Sequence, residues 1–197
     1  MQSGDRIVTN DHREVEIKLR VDGGIEHTQQ RLELAGFIIS KARVFESNVL
    51  FDTPERKLRE ASQLLRLRRV GDRCTLTYKG AGAAGKHKSR EEIETGVGDE
   101  ANMALVFSRL GYAPVFRYEK FRTEYEVRGQ GGVVTLDETP IGVYLEVEGE
   151  PAWIDRVAAI LGFTEEQYIT QSYAALYFEY CRERGVTPTN MVFESVV

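Results

Sequence analysis

Glu14, Glu16 and Lys18 stand two residues apart in the run Glu14-Val15-Glu16-Ile17-Lys18-Leu19-Arg20-Val21, with only aliphatic residues between them. Strict alternation over such a run gives a β-strand with one apolar face and one ionised face. The same design returns along the chain. Arg66 and Arg68 alternate with Leu65, Leu67 and Arg69, and Thr75, Thr77 and Lys79 alternate with Leu76 and Tyr78. Arg90, Glu92 and Glu94 share a face, as do Lys120, Arg122, Glu124 and Glu126; Thr135 and Asp137 oppose Val134 and Leu136, and Glu146 and Glu148 oppose Leu145 and Val147. One account is a sheet with a wet outer face. The other is a closed barrel whose interior binds a polyanion on one wall and divalent cations on another. Charge is sorted by strand: Arg66 and Arg68 have no acid on their face, and Glu146 and Glu148 have no base. A solvated face needs no such sorting, because like charges side by side on a strand cost a little.

The elements that would position these residues are mostly strands. Four helices are expected, over residues 25–36, 99–110, 151–161 and about 170–184, with Asp99 as an N-cap and Pro151 at a first helical position. The first three stop alike, at Gly36-Phe37, Gly111-Tyr112 and Gly162-Phe163: glycine takes the left-handed position and an aromatic folds back. The fourth stops at Gly185. Strands outnumber helices and parallel crossovers are not evident, so an α+β, mainly antiparallel barrel with flanking helices is the expected fold. Residues 1–185 read as one domain, and residues 186–197 as a tail without periodicity, loose or docked on a neighbour.

A net charge of −5 argues against non-specific nucleic-acid binding. Two cysteines, Cys74 and Cys181, cannot build a disulfide framework, and Cys74 reads as a buried thiol on the apolar side of its strand. No apolar run approaches membrane-spanning length and the N-terminus has no signal-peptide pattern, so a cytoplasmic protein is expected.

Some signals point to chemistry that their context does not support. Gly80 to Lys86 spells the start of a phosphate-binding P-loop, but His87 stands where that motif needs a hydroxyl, and a strand follows where it needs a helix. A loop carrying Lys86 and Lys88 past an anionic site, or a plain surface loop, fits better. His12, His27 and His87 lack metal-ligand spacing, and no serine shows a triad.

Taken together, the charged strands resemble the CYTH family, the triphosphate tunnel metalloenzymes named for class IV adenylate cyclase and thiamine triphosphatase. The motifs that carry the likeness are Glu14-x-Glu16-x-Lys18, Phe51-Asp52-Thr53-Pro54, Leu65-Arg66-Leu67-Arg68, Leu76-Thr77-Tyr78-Lys79 and Arg90-x-Glu92-x-Glu94. They continue with Lys120-x-Arg122, Leu136-Asp137 with Gly142 and Tyr144, Glu146-x-Glu148, and Ser172-Tyr173. Leu50 departs from the pattern, in which a tyrosine is common.

The resemblance implies an eight-stranded tunnel with the charged faces turned inward. It implies that Lys18, Arg66, Arg68, Lys79, Arg90, Lys120 and Arg122 take the triphosphate, with Arg20 a weaker member and Lys88 at the mouth. Arginine's planar fork suits phosphate oxygens. It implies that Glu14, Glu16, Asp137, Glu146 and Glu148 hold magnesium or manganese, which prefer such hard oxygen ligands. Glu92 and Glu94 hold a second ion or lock the bases; Glu124 and Glu126 are mouth or surface charges. Glu16, Lys18, Lys79 and Glu148 are the residues expected nearest the chemistry.

The expected substrate is a small triphosphate: tripolyphosphate, ATP or thiamine triphosphate, with neither nucleic acid nor membrane as partner and a homodimer possible. One reaction is hydrolysis, water attacking a phosphorus. Another is cyclisation of ATP to cyclic AMP and pyrophosphate; the segment from Leu110–Phe116 to Lys120-x-Arg122 resembles the bacterial cyclase branch in kinship, while triphosphate cleavage is the expected activity. A third reading is a non-catalytic polyphosphate or nucleotide sensor, against which the inward carboxylates argue because they would repel its ligand.

Overall fold

The computed structural model describes residues 13–83 and 85–194; His12 and the rest of residues 1–12, with Ala84 and residues 195–197, lie outside it. Each alternating run forms a strand: β1 Arg13–Val21, β2 Ile38–Asp52, β3 Leu64–Val70, β4 Arg73–Lys79, β5 Lys88–Val97, β6 Ala113–Glu126, β7 Val133–Thr139 and β8 Gly142–Glu148. They close into a single antiparallel barrel in the order β1-β5-β4-β3-β2-β6-β7-β8. Register follows the sequence pattern. Lys18 lies opposite Glu146, Arg66 opposite Thr77, and Glu46 opposite Lys120.

Closing the sheet gives each strand an inside and an outside, and leaves stretches of β1 and β6 without a second strand beside them. The aliphatic residues took the outside, where helices cover them. Ile17, Leu19, Val134, Leu136, Leu145 and Val147 are buried beneath α1 (Ile25–Leu34) and α4 (Pro151–Ile160). Each fully buried aliphatic side chain contributes about 1.5–3 kcal/mol. On the other side Phe107 of α3 (Glu100–Arg109) packs on Phe51 and Leu67. Cys74 joins this second cluster only half-buried, less enclosed than its sequence suggested, because the Val70–Arg73 turn leaves the start of β4 near solvent.

The helix stops form as their glycines demand. Gly36, Gly111 and Gly162 have φ of 86°, 87° and 75°, and the following aromatic N–H reaches back in each case, Phe37 to Leu32, Tyr112 to Phe107 and Phe163 to Ala158. Gly132, at φ 125°, is glycine for a second reason: a Cβ there would lie 2.5 Å from the Trp153 ring that seals α4 onto the β6–β7 turn. Asp99 caps α3 as expected, its side chain accepting Asn102 N–H at 2.9 Å.

Two short elements were not evident in sequence. α2 (Lys57–Glu60) is capped by the buried Asp52 carboxylate, which accepts the N–H groups of Thr53, Leu58 and Arg59. A 3₁₀ turn covers Glu165–Gln167. α5 (Tyr173–Arg184) starts later than the expected helix because Ser172 is its N-cap. It closes one end of the barrel over Leu50, Phe116, Tyr118 and Tyr144. The segments flanking α5 pair with strand stretches that lack a second neighbour: Ile169 with Lys18 of β1, and Met191 with Tyr118 of β6. Within the described part of the tail, Asn190, Met191 and Phe193 are hydrogen-bonded to β6 of their own barrel. Among the described residues no helix is long and apolar enough to cross a membrane.

Candidate active site

The inward faces enclose a cavity of about 300 Å³, and Arg66, Lys120 and Glu146, from three different strands, all line it. The charged ribbons therefore converge on one lumen. The substrate-binding candidates Lys18, Arg66, Arg68, Lys79, Arg90, Lys120 and Arg122 line it too, as does Lys88. Lys88 belongs to β5, and its Nζ lies 2.9 Å from Glu16. Arg20 is exposed and stands outside the cavity.

The walls differ in charge. Around β3, β2 and β6 stand Arg66, Arg68, Lys120 and Arg122, with Glu46 among them. Facing them across the barrel, β8, β1 and β5 carry six carboxylates, Glu146, Glu148, Glu14, Glu16, Glu92 and Glu94, interspersed with Lys18, Lys88 and Arg90.

On the basic wall every cation has a built-in partner. Arg66 donates to Tyr118 Oη and Thr77 Oγ1, both at 3.1 Å, and Arg68 to Glu94 at 2.6 Å. The acid for Arg66 and Arg68 thus comes from β5, across β4, and Thr77 helps to hold it by donating to Glu94 at 2.6 Å. Lys120 lies 2.9 Å from Asp137 and 3.6 Å from Glu46. Burial alone would raise the Glu46 carboxyl, but Lys120, Arg122, Arg68 and Arg66 outweigh it and hold it at about 2. Tyr118, which lines the cavity, and Glu46, which pairs with cavity-lining Lys120, were not singled out in the sequence; Ser47 blurs the contrast around Glu46, and Tyr118 continues the Lys120-x-Arg122 face.

The expected metal ligands fall into two groups. Asp137 has no exposed surface, and its oxygens receive Arg122 twice at 2.6 Å, Lys120 at 2.9 Å and Tyr173 Oη at 2.7 Å. Glu146 pairs with Lys18 at 3.1 Å and with Arg122. Lys18 also pairs with Glu16 at 3.2 Å; although burial opposes its charge, Glu146 and Glu16 raise the ammonium above its ordinary range. Glu14, Glu16 and Glu148 gather instead near Glu92, towards the other end of β1. Lys79 bridges Glu14 at 2.7 Å and Glu92 at 3.0 Å. Burial would raise Glu16, but Lys18, Lys88 and Lys79 keep it well below the carboxylate range.

Glu148, at the mouth, makes no ion pair with any described residue. Shielding by the barrel wall, with Glu14, Glu16 and Glu92 nearby, pushes it up to about 7. Glu92 is likewise pushed up to about 7, by burial against the relief of Lys79 and with Glu14 adding repulsion. Such crowding of hard oxygen donors suits a divalent cation. Among the described residues no three carboxylates, histidines or cysteines already stand at the spacing that holds an ion.

Outside the barrel, the glycine-rich loop between β4 and β5 is pinned, not poised over the anionic site. Lys86 pairs with Asp155 of α4 at 3.0 Å and with Glu165, and His87 Nε2 lies 2.8 Å from Asp155. Glu124 pairs with Lys41 at the mouth at 2.8 Å, and Glu126 is exposed.

The CYTH domain family model matches residues 12–173, spanning the whole barrel. This chain belongs to the CYTH family. Its curated relatives include a Methanocaldococcus jannaschii protein named "Putative adenylate cyclase", 32% identical over 135 residues, which are 68% of this chain and 75% of that protein. Among solved structures, a protein of Pyrococcus horikoshii OT3 superposes with a TM-score of 0.71 at 26% identity, covering 85% of this chain and 99% of the other. A Hippeastrum protein described as a "putative adenylyl cyclase" that reveals a dominant triphosphatase activity shares the fold, with a TM-score of 0.59 at 22% identity over 89% of this chain and 97% of its own. CYTH members act on nucleotide or other triphosphate substrates.

Proposed function

We infer that this protein is an enzyme that binds a small triphosphate in the barrel with magnesium or manganese and cleaves a phosphoanhydride bond by hydrolysis. The observation that carries the reading is the division of one cavity into a basic wall and a facing wall crowded with carboxylates. A polyanion needs the first. A pure anion binder gains nothing from the second.

In this reading Arg66, Arg68, Lys120 and Arg122 bind the phosphate chain, with Lys18, Lys79 and Arg90 reaching it from the other strands. Arginine forks fix oxygen pairs, while lysines act as point charges that follow the phosphate as it moves. Glu14, Glu16 and Glu148, with Glu92 beside them, would hold the metal; Glu146 and Asp137 keep Lys18, Lys120 and Arg122 aimed. The bound ion would neutralise negative charge on the phosphate oxygens. Glu16, ionised and in reach of Lys18 and Lys88, orients water for attack, and Glu148, the more basic carboxyl, accepts its proton.

The name of the archaeal relative favours a second reading, in which the ribose 3′-hydroxyl of ATP attacks the α-phosphorus and pyrophosphate leaves. Both use the same cradle and differ in which phosphorus meets the nucleophile. Incubation with tripolyphosphate, ATP and thiamine triphosphate in magnesium or manganese separates them. Orthophosphate release supports hydrolysis, and cyclic AMP with pyrophosphate supports cyclisation. No product from any of the three, with or without metal, would sink both.

A further inference from the structure

The segment beyond α5 lies outside the residues that match the family, yet it is built into the barrel wall. β7 pairs with β6 only over Phe121–Tyr125, so the earlier half of β6 has an open edge on that side. The C-terminal segment completes it. Met191 N–H donates to Arg117 O at 3.0 Å, and Met191 O accepts Glu119 N–H at 2.9 Å, a parallel bridge centred on Tyr118. Two side chains secure its flanks: Asn190 Oδ1 accepts Arg117 N–H at 2.8 Å, and the buried Glu119 carboxylate accepts Phe193 N–H at 3.2 Å.

The Met191 side chain is wholly enclosed, in a cluster with Phe116, Tyr118, Tyr144 and Tyr173. Two of these turn their hydroxyls towards cavity charges. Tyr118 Oη accepts from Arg66 at 3.1 Å, and Tyr173 Oη donates to Asp137 at 2.7 Å. Lys120 is the next inward residue after Tyr118 on β6.

We propose that Met191 is a positioning residue for triphosphate binding, acting through Tyr118 to place Arg66 and Lys120 on the basic wall. The proposal rests on the triphosphate-binding reading above. The backbone bonds at Arg117 and Glu119 hold β6 on both sides of Tyr118, and the enclosed Met191 side chain packs in the same buried cluster as its ring. Without that support the charges remain but lose alignment, and a preorganised cradle is sensitive to small displacements.

The test is tripolyphosphate binding by titration calorimetry to the wild type, Met191→Ala, Met191→Leu, Tyr118→Phe and the Met191→Ala/Tyr118→Phe double variant, with a melting curve for each. Met191→Ala should bind about tenfold more weakly, as for loss of one hydrogen bond to a charged group. Met191→Leu, similar in volume, should recover affinity to within roughly twofold. Tyr118→Phe should add little in the Met191→Ala background, because both changes release the same guanidinium. Wild-type affinity in Met191→Ala, or weakening that simply multiplies with that of Tyr118→Phe, overturns the proposal while leaving the substrate reading intact. A wild-type protein that binds no tripolyphosphate overturns both. If Met191→Ala does not fold, Met191→Val, which shortens the same side chain and keeps its backbone bonds, replaces it, and unchanged affinity there overturns the role.

Discussion

Arg122 grips Asp137 with two parallel bonds, Nε to Oδ1 and Nη2 to Oδ2, each 2.6 Å long, and the carboxylate they hold is sealed from solvent. Lys120 leans on the same carboxylate, so two enclosed cations share this acid, with Glu46 also beside Lys120 and Glu146 beside Arg122. Asp137→Asn keeps the shape and removes the charge. The variant should lose about 3–5 kcal/mol of stability, as when one member of a buried ion pair is deleted. Tripolyphosphate should then raise its melting temperature more than that of the wild type, because the ligand supplies the missing charge. A variant as stable as the wild type would contradict this.

Arg66 makes its contacts as a fork, to Tyr118, Thr77 and Glu94, and a lysine cannot reproduce that geometry. Arg66→Lys should raise KM for tripolyphosphate about tenfold, equivalent to one charge-assisted bond, and should slow turnover as well. Steady-state kinetics will report it; wild-type constants would remove Arg66 from the cradle.

Glu46 gives a pH signature. Its carboxyl is held at about 2 in the folded chain against an ordinary 4.5, so it contributes stability that is complete above pH 4.5 and lost as pH falls towards 2. Its share is on the order of 2–3 kcal/mol. Urea unfolding at stepped pH should show a steeper decline for the wild type than for Glu46→Gln across that window, and parallel curves would refute the assignment.

Glu148 forms no ion pair among the described residues. Glu148→Gln should leave the melting temperature of the metal-free protein unchanged or raise it, since it relieves repulsion from Glu14, Glu16 and Glu92. It should also raise the magnesium concentration needed for half-maximal activity by at least about tenfold. Chelation with EDTA should abolish turnover in the wild type, and magnesium should restore it. Activity that ignores both treatments would remove the metal from the reaction.

Much of this was legible in sequence, for reasons that particular residues make plain. Period-two alternation at Glu14, Glu16 and Lys18 told which way each side chain faces, and Gly36, Gly111 and Gly162 marked helix stops with backbone angles that only glycine adopts freely. Partnership was not legible. Glu94 reaches Arg68 across an intervening strand, and Asp137 meets Tyr173 from a helix that begins after the last strand, contacts that depend on closure of the sheet. The division of the acids into a cation-holding set and a crowded set lies at the same level, because it depends on depth in the barrel. The C-terminal segment escaped notice because Met191 pairs through its backbone, which leaves no periodic mark.

The self-compensated lumen has a thermodynamic corollary. Because Arg68, Lys79, Lys120 and Arg122 already have carboxylate partners, the barrel can fold empty, and an incoming anion enters by exchange, displacing one set of contacts to gain another. Its net affinity is a small difference between two large quantities. Modest changes to either set can therefore swing selectivity among ligands, so that closely similar barrels can come to prefer different triphosphates without altering a single strand.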